Sequence, residues 1–221
     1  MAATRVDRRT RPARDEGRDG RAALLHAAAE VFAERGYRDA SVDEIAQRAG
    51  YSKGALYWHF AGKDEVFFAL LEERIDAPTR QMVALLRSAP PEQDMAPEAS
   101  RLLADLLRSE REALLLEHEY WSQAVRDPKL RRRYARRRAA LRRALGEALL
   151  ARMEHLGTPL AGAEPQRLAT VVMALAAGLA QERLIEPRAV PDDLFGDTLA
   201  QLYRGAVARQ ARPGAEAAAR R

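Results

Sequence analysis

Apolar residues recur along this 221-residue chain at intervals of three and four, the spacing that lines up one face of an α-helix. Leu24, Leu25, Ala28, Val31 and Phe32 form the first such stripe and predict a helix over Arg21–Arg35 that Gly36 ends. Val42, Ile45, Ala46 and Ala49 then fall at i, i+3, i+4 and i+7, a second helix of about two turns. Ser41 stands where its hydroxyl can accept from the free N–H groups of that first turn, and Glu44 follows three residues on, making a capping box. Gly50 supplies the left-handed residue that stops the helix. Ser52 restarts one at once, with Leu56 and Phe60 on its buried side. Two short helices joined by a tight glycine-containing turn make a helix-turn-helix, the motif whose second helix is presented to the DNA major groove.

The pattern continues to the end of the chain. Lys63-Asp64-Glu65 opens a longer helix whose acidic pair suits the positive end of the helix dipole; Val66, Phe67, Leu70, Leu71 and Ile75 face inward, and Pro78 is expected to kink or end it. Tyr37, in the connection before Ser41, is placed to close the small core. Ser88–Pro97, with three prolines, is the clearest break. Beyond it, Pro97–Ser109 winds around Leu102, Leu103, Leu106 and Leu107. Arg111–Arg126 follows, with a stripe of Leu114, Leu115, His118, Trp121, Ala124 and Val125. Asp127-Pro128 marks a new start for a helix running to about Leu156, with Leu130, Tyr134, Leu141, Leu145, Leu149 and Met153 inward; Gly157 and Pro159 stop it. The last two helices are Glu164–Ile185 and Pro191–Arg209. The first carries Leu168, Val171, Val172, Leu175 and Leu179 on one side, and Ala174, Ala176, Ala177, Gly178 and Ala180 elsewhere. A helix apolar on most of its circumference needs burial all round, which a subunit interface provides. Its successor adds Leu194, Phe195, Leu199, Leu202 and Tyr203.

Composition narrows the chemistry. Alanine, leucine, arginine and glutamate dominate, aromatics are 6%, and β-branched residues are sparse, a mixture that favours helix nearly everywhere. With no cysteine, a disulfide framework and a thiolate metal site are excluded. His26, His59, His118 and His155 show no ligand spacing, so neither metal nor cofactor is expected. No nucleophile–base pair or phosphate loop appears, which argues against an enzyme. The N-terminus is arginine-rich without an apolar core, unlike a secretory signal. The longest nearly apolar run, Leu168–Ala180, is shorter than the roughly 20 residues of a membrane span. A soluble, cytoplasmic protein with no membrane partner is expected.

The net charge of +5 suits a nucleic-acid partner, but placement says more than the sum. Residues 22–63 balance five basic side chains (Arg35, Arg38, Arg48, Lys53, Lys63) against five acidic ones (Glu30, Glu34, Asp39, Asp43, Glu44). Between Ile45 and Lys63, however, there is no acid. There the second helix and its flanks offer Ser52, Lys53, Tyr57, Trp58, His59 and Lys63, the donors and cations that phosphate oxygens need. Gly54 and Ala55 add no bulk that would keep the helix from base edges. Residues 1–20, arginine-rich and poor in apolar residues, read as a disordered arm, either solvated or reaching a minor groove or phosphates. Lys129–Arg143 holds nine basic residues and no acid: a solvated face, or a second contact to DNA or to an acidic partner. An Ala/Arg-rich tail follows about Arg209.

The run G-Y-S-K-G-A-L-Y-W-H-F-A-G-K-D-E-V resembles the signature of the tetracycline-repressor (TetR) family of bacterial transcription regulators. The similarity covers Ala22 to about Leu71, and A-E-V-F-A-E-R-G-Y-R-D-A-S-V-D-E-I-A resembles that family's first two helices. Tyr51 departs from the pattern, where an apolar aliphatic residue is more usual; it either packs in the turn or reaches toward DNA. The resemblance implies an all-α fold with an N-terminal three-helix helix-turn-helix DNA-binding domain at residues 21–66. A helical C-terminal ligand-binding and dimerisation domain would follow at 67–209, with an arm at 1–20 and a tail at 210–221. It implies a ligand-responsive regulator, a repressor by family default, that binds a palindromic double-stranded DNA operator as a homodimer.

Carried over position by position from the family motif, Ser41, Tyr57, His59 and Lys63 would hold phosphates. On this chain's own residues, base reading is expected of Lys53, Trp58 and Tyr51, with Ser52 a further DNA contact. The stretch A-A-G-L-A-Q-E-R-L-I-E-P-R-A-V-P is similar to the C-terminal end of family members whose last two helices pair with their symmetry mates. That places Leu175, Ala177, Leu179, Phe195, Leu199 and Leu202 at a dimer interface. Within Glu117–Gln123, His118 and Trp121 break a leucine pattern on one side of their helix. With Tyr134, Met173 and Phe195 they are candidates to line a pocket for an apolar, aromatic small-molecule effector; the alternative is that they fill core. The rival reading of the whole is a DNA-binding regulator or architectural protein controlled by a protein partner, without a small ligand.

Overall fold

The computed structural model describes residues 13–155 and 165–210, and every regular element among the described residues is a helix. In chain order these are α1 (Ala13–Asp39), α2 (Val42–Arg48), α3 (Lys53–His59), α4 (Lys63–Arg74) and α5 (Ala77–Ser88), followed by α6 (Ala96–Ser109), α7 (Arg111–Arg126), α8 (Pro128–His155), α9 (Pro165–Ile185) and α10 (Leu194–Gln210). The chain divides into two compact units between Leu71 and Glu72, inside α4. The expected division at 66/67 lies five residues earlier. The shift has a packing cause: Phe67 meets Phe32 edge-on at 5.7 Å and Tyr37 at 4.9 Å, so the first turns of α4 complete the first unit's core. Residues 1–12 and 156–164 and the tail after Gln210 lie outside the described residues, and with them most of the expected arm and Gly157–Pro159.

In the first unit, the predicted stripe of α1 is buried in full, as are Ile45, Ala46, Leu56, Phe60, Val66, Leu70 and Leu71. α1 starts at Ala13, eight residues before the predicted Arg21, although residues 1–20 read as a disordered arm. Extending an existing helix fixes one residue per hydrogen bond formed, far easier than nucleating a new one. Gly36, at φ 71°, breaks the helical path as expected.

In the second unit, α4 ends at Arg74 and Pro78 sits in the first turn of α5 rather than in mid-helix. α5 and α8 run parallel. Arg137 of α8 meets Asp76 at the start of α5, and Arg152 meets Ala89 and Pro90 at its end, so the two helices keep step along their length. Between them Val83, Leu86, Leu145, Ala148, Ala169 and Met173 form one buried cluster. A second cluster joins Ala99 and Leu103 of α6 to Phe195 of α10. Two glycines permit close helix approach: a Cβ on Gly196 would strike the Ala96 carbonyl, and one on Gly146 the Pro165 carbonyl.

The α7 face differs from the prediction. Leu115, His118, Trp121 and Val125 lie on the outer side, with Leu115, Trp121 and Val125 exposed, while Ala113, Leu114, Leu116, Tyr120 and Ala124 are buried. Both stripes satisfy a helical period. The buried one also brings Glu117 to Arg137 and Tyr134, and Tyr120 to within 6.0 Å of the Tyr134 ring. The predicted apolar face of α9 is likewise only partly covered: Ala169, Met173 and Ala180 are buried, whereas Val171, Ala174, Ala177 and Gly178 are turned outward, with Val171 52% exposed. By length and composition α9 is the one described helix that could cross a membrane, yet here it packs along α8.

Arg137 is a buried cation of the second unit. Its Nε and Nη2 donate to the two Asp76 oxygens at 2.9 and 2.5 Å, and its Nη1 donates to Glu117 at 2.8 Å. Burial pushes the Asp76 carboxyl above its ordinary range and the guanidinium pulls it back. Burial also raises the Tyr134 hydroxyl, with the Glu117 charge adding to it. Removing one member of a buried ion pair strands the others, at a cost of about 3–5 kcal/mol. Arg137→Met is therefore expected to destabilise the second unit by about that amount in chemical denaturation at fixed protein concentration, and the further changes Asp76→Asn and Glu117→Gln should recover part of it. A single variant as stable as the parent would show the cluster to be dispensable.

Candidate nucleic-acid interface

Local backbone chemistry positions the reading helix. Ser41 Oγ accepts from the Glu44 N–H at 3.1 Å and caps α2. At the other end Gly50 takes φ 75°, with Gly50 N donating to the Gln47 carbonyl and Tyr51 N to the Ala46 carbonyl. Those paired bonds are the Schellman ending that glycine at this position favours. Ser52 Oγ then accepts from the Ala55 N–H at 3.1 Å and caps α3. Both serines are thus occupied with helix ends, although both remain exposed.

α3 buries Leu56, half-buries Ala55 and His59, and turns Lys53, Gly54, Tyr57 and Trp58 outward. Tyr57 and Trp58 are exposed, Trp58 at 76% of its surface, and the Trp58 ring meets His59 edge-on at 4.5 Å. A Cβ added at Gly20 would lie 3.2 Å from His59 Nε2 and 3.4 Å from Tyr51 Oη, so these two side chains bracket α1 near its start. Tyr51 therefore lies against α1, with part of its ring still exposed. Arg21 places its guanidinium 5.2 Å from the Phe60 ring on the same side.

Two features were not visible in the sequence. No acid interrupts residues 46–62, but the fold brings Asp43 of α2 to Lys53, with Nζ–Oδ1 at 2.8 Å. The hydrogen bond to Asp43 raises the Lys53 pKa; the pair is exposed, so the ammonium can exchange it for another acceptor. The second concerns Lys63, expected on a phosphate. Its ammonium donates to the carbonyls of Tyr37 (2.9 Å), Arg38 (2.8 Å) and Ala40 (2.9 Å), at the end of α1, and lies 4.9 Å from the Tyr37 ring centre. The Tyr37 hydroxyl donates to Asp64. Lys63 and Tyr37 together tie α4 to the end of α1. On the far side of α2, Arg48 grips Glu34 of α1 through both guanidinium nitrogens, and that hydrogen bonding lowers the Glu34 pKa.

The structure separates the five candidate pocket residues. His118 and Trp121 stack on each other at 5.7 Å on the outside of α7, with Trp121 47% exposed. Tyr134 is half-buried and donates to Glu117 at 3.0 Å. Met173 belongs to the α5–α8–α9 cluster and Phe195 to the α6–α10 cluster. A cleft of about 220 Å³ lies elsewhere, between the start of α5 and α6, lined by Glu73, Arg74, Pro78, Arg101, Leu102 and Asp105 among others. Of the residues assigned to a dimer interface, Phe195 is core within one chain, and Leu175, Leu179 and Leu199 pack partly on it. Ala177 and Leu202 are exposed.

Lys63→Met should lower the stability of the first unit by about 1–3 kcal/mol, because three carbonyls at the end of α1 lose charge-assisted bonds from the ammonium. The slope of log K against log salt for DNA binding should stay unchanged. The opposite result, intact stability with a slope reduced by about one unit, would put this ammonium on a phosphate instead.

Residues 24–70 match the bacterial regulatory proteins of the TetR family, and residues 102–210 match the C-terminal domain of BetI-type transcriptional repressors. Over 56 residues the chain is 54% identical to the transcriptional activator FasR of Mycolicibacterium smegmatis, and over 59 residues it is 48% identical to the regulator TtgW of Pseudomonas putida. These stretches are 25% and 27% of this chain, and 26% and 44% of those proteins, so the likeness to them is confined to less than half their length. The fold is similar over a longer span. A TetR-family member from Streptomyces coelicolor superposes with TM-score 0.62 at 24% identity, over 83% of this chain and 97% of its own. A transcriptional regulator from Saccharomonospora viridis in complex with choline gives 0.57 at 22% identity over 85% and 96%, and the SmeT–triclosan complex 0.55 at 24% over 81% and 88%. With both its N-terminal and its C-terminal parts matched, the chain belongs to the TetR family of transcriptional regulators.

Proposed function

We propose that this regulator binds a palindromic DNA operator as a homodimer, represses transcription there, and is released by a small molecule held in its second unit. The observation that carries the DNA reading is the outward face of α3, with Tyr57 and Trp58 exposed, Lys53 beside them and helix-capping serines at its edges. Lys53, Trp58 and the open edge of Tyr51 are assigned to bases; Ser41, Ser52, Tyr57 and His59 to phosphates and to the placing of α3. A helix this short spans few base pairs, so specificity calls for two copies on two half-sites. The cytoplasm is the compartment such a reading requires.

Repression is favoured by the BetI-type match of the C-terminal part. The relative named an activator shares only the reading head, which does not decide the sign of regulation. The choline and triclosan complexes on the same fold favour an effector over control by a protein partner. A small, largely apolar or aromatic effector is proposed. It would act by binding one arrangement of the protein more tightly than the other; a tenfold release needs a preference of about 1.4 kcal/mol.

A second copy of the chain is the proposed cover for the exposed side of α9, where Val171, Ala174, Ala177 and Gly178 let two helices approach closely, with Leu202 of α10 alongside. Ala177→Arg should convert a dimer to a monomer in sedimentation at unchanged helix content; a dimer that survives the change would move the interface elsewhere. Selection of bound duplexes from genomic DNA by the purified protein, repeated with candidate ligands, tests the rest. Trp58→Ala should lower affinity for the selected sequence by roughly 5- to 100-fold, the range for removing one base-reading side chain, at unchanged stability. A variant that keeps both the parental affinity for the selected duplex and the parental discrimination against a scrambled one would remove Trp58 from the reading.

A further inference from the structure

α8 turns opposite chemistries to its two sides. Arg137 points inward to Asp76 and Glu117, while Lys129, Arg131, Arg132, Arg136 and Arg143 are exposed. Arg132, Arg136 and Arg143 stand at i, i+4 and i+11, which places them on one stripe of the helix, and Lys129 lies one turn ahead on the same stripe. Among the described residues, these three arginines have no carboxylate partner. Two exposed arginines of α6, by contrast, are committed: Arg101 to Glu98 and Asp105, and Arg108 to Asp105 and Asp192. Like charges four apart repel on a helix, so an unpaired stripe of this kind is held against a local cost that a bound polyanion removes.

The parallel packing of α5 and α8 places the stripe. Because Arg137 is level with Asp76, the turns of α8 before it, Pro128–Arg136, run roughly 13 Å past the first residue of α5 at a rise of 1.5 Å per residue. Lys129, Arg131, Arg132 and Arg136 therefore project from the end of the second unit at which that unit begins.

We propose that this stripe is a second DNA contact, a row of cations on the phosphate backbone of the duplex whose bases α3 reads; it rests on the reading of α3 given above. Plain cations without interleaved aromatic or amide side chains suit phosphates, which ask for charge and not for base recognition. A duplex already held by the same polypeptide is presented to the stripe at high effective concentration, so individually weak contacts count.

The test compares the full-length triple variant Arg132→Gln, Arg136→Gln, Arg143→Gln with a charge-matched control, Arg87→Gln, Arg167→Gln, Arg188→Gln, at other exposed positions. Binding to a selected operator with flanking DNA is measured across salt concentrations, and circular dichroism and sedimentation confirm fold and assembly. The stripe variant should lower the magnitude of the salt slope by between about one and three units, near 0.9 for each phosphate no longer neutralised. Its base preference should be unchanged, and the control should match the parent. A stripe variant within about half a unit of the parent, or one matched by the control, overturns the proposal while leaving the α3 reading intact. Unchanged DNA binding together with abolished retention on poly-glutamate overturns it in favour of an acidic protein partner. A parent that selects no sequence overturns the α3 reading and this proposal together.

Discussion

A helix leaves its last carbonyls without intrahelical partners, and a chain made of short helices and tight connections accumulates many such ends. This protein has no cysteine to cross-link them, and it closes several with buried or half-buried cations. Lys63 gathers three carbonyls at the end of α1. Arg152 gathers those of Ala89, Pro90 and Gln93 after α5, and Arg183 takes the Val190 carbonyl together with the Asp192 carboxylate before α10. Each cation gives these acceptors a charge-assisted hydrogen bond, worth about 1.5–3 kcal/mol. Connections that look loose in composition, such as the proline-rich Ser88–Pro97, are fixed in this way to the helices beside them.

Arg137 extends the same device from carbonyls to carboxylates, and it accounts for the one helix whose buried face differed from expectation. On α7 two stripes have helical spacing, one through His118 and Trp121, the other through Leu116 and Tyr120. Apolar area alone does not separate them. The second carries Glu117, and a buried guanidinium needs that carboxylate far more than the core needs an indole. The deciding charge sits on α8, 20 residues further along the chain, and no local pattern in α7 contains it. The scattering of the candidate pocket follows from it, since Trp121 was assigned inward on the strength of the stripe that stayed outside.

The reading head was legible almost throughout because its determinants are local. The Ser41 and Ser52 caps, the left-handed Gly50 and the stripes of α1 and α4 each depend on residues within a turn or two. What escaped there required tertiary contact: Asp43 arriving beside Lys53, and Lys63 turning from solvent to the end of α1. In the second unit, helix boundaries were likewise legible from proline and glycine, with α7 matching at both ends. Which side of each helix faces inward was less so, because arginine appears in the core at Arg137 and Arg152 and at the surface a residue or two away.

The arginines of α8 show how one helix can serve several ends. α8 commits two of them to structure, one at each end of α5, and these fix its rotation about its own axis. Once Arg137 and Arg152 are turned inward, the helical period leaves Arg132, Arg136 and Arg143 no choice but the outer side. The outward stripe is thus positioned by the same buried ion pair that holds α5, α7 and α8 together. A change at Arg137 that let α8 rotate by one residue, about 100°, would turn the stripe away as surely as deleting its charges. Structure and surface chemistry are coupled here through rotation of a single helix.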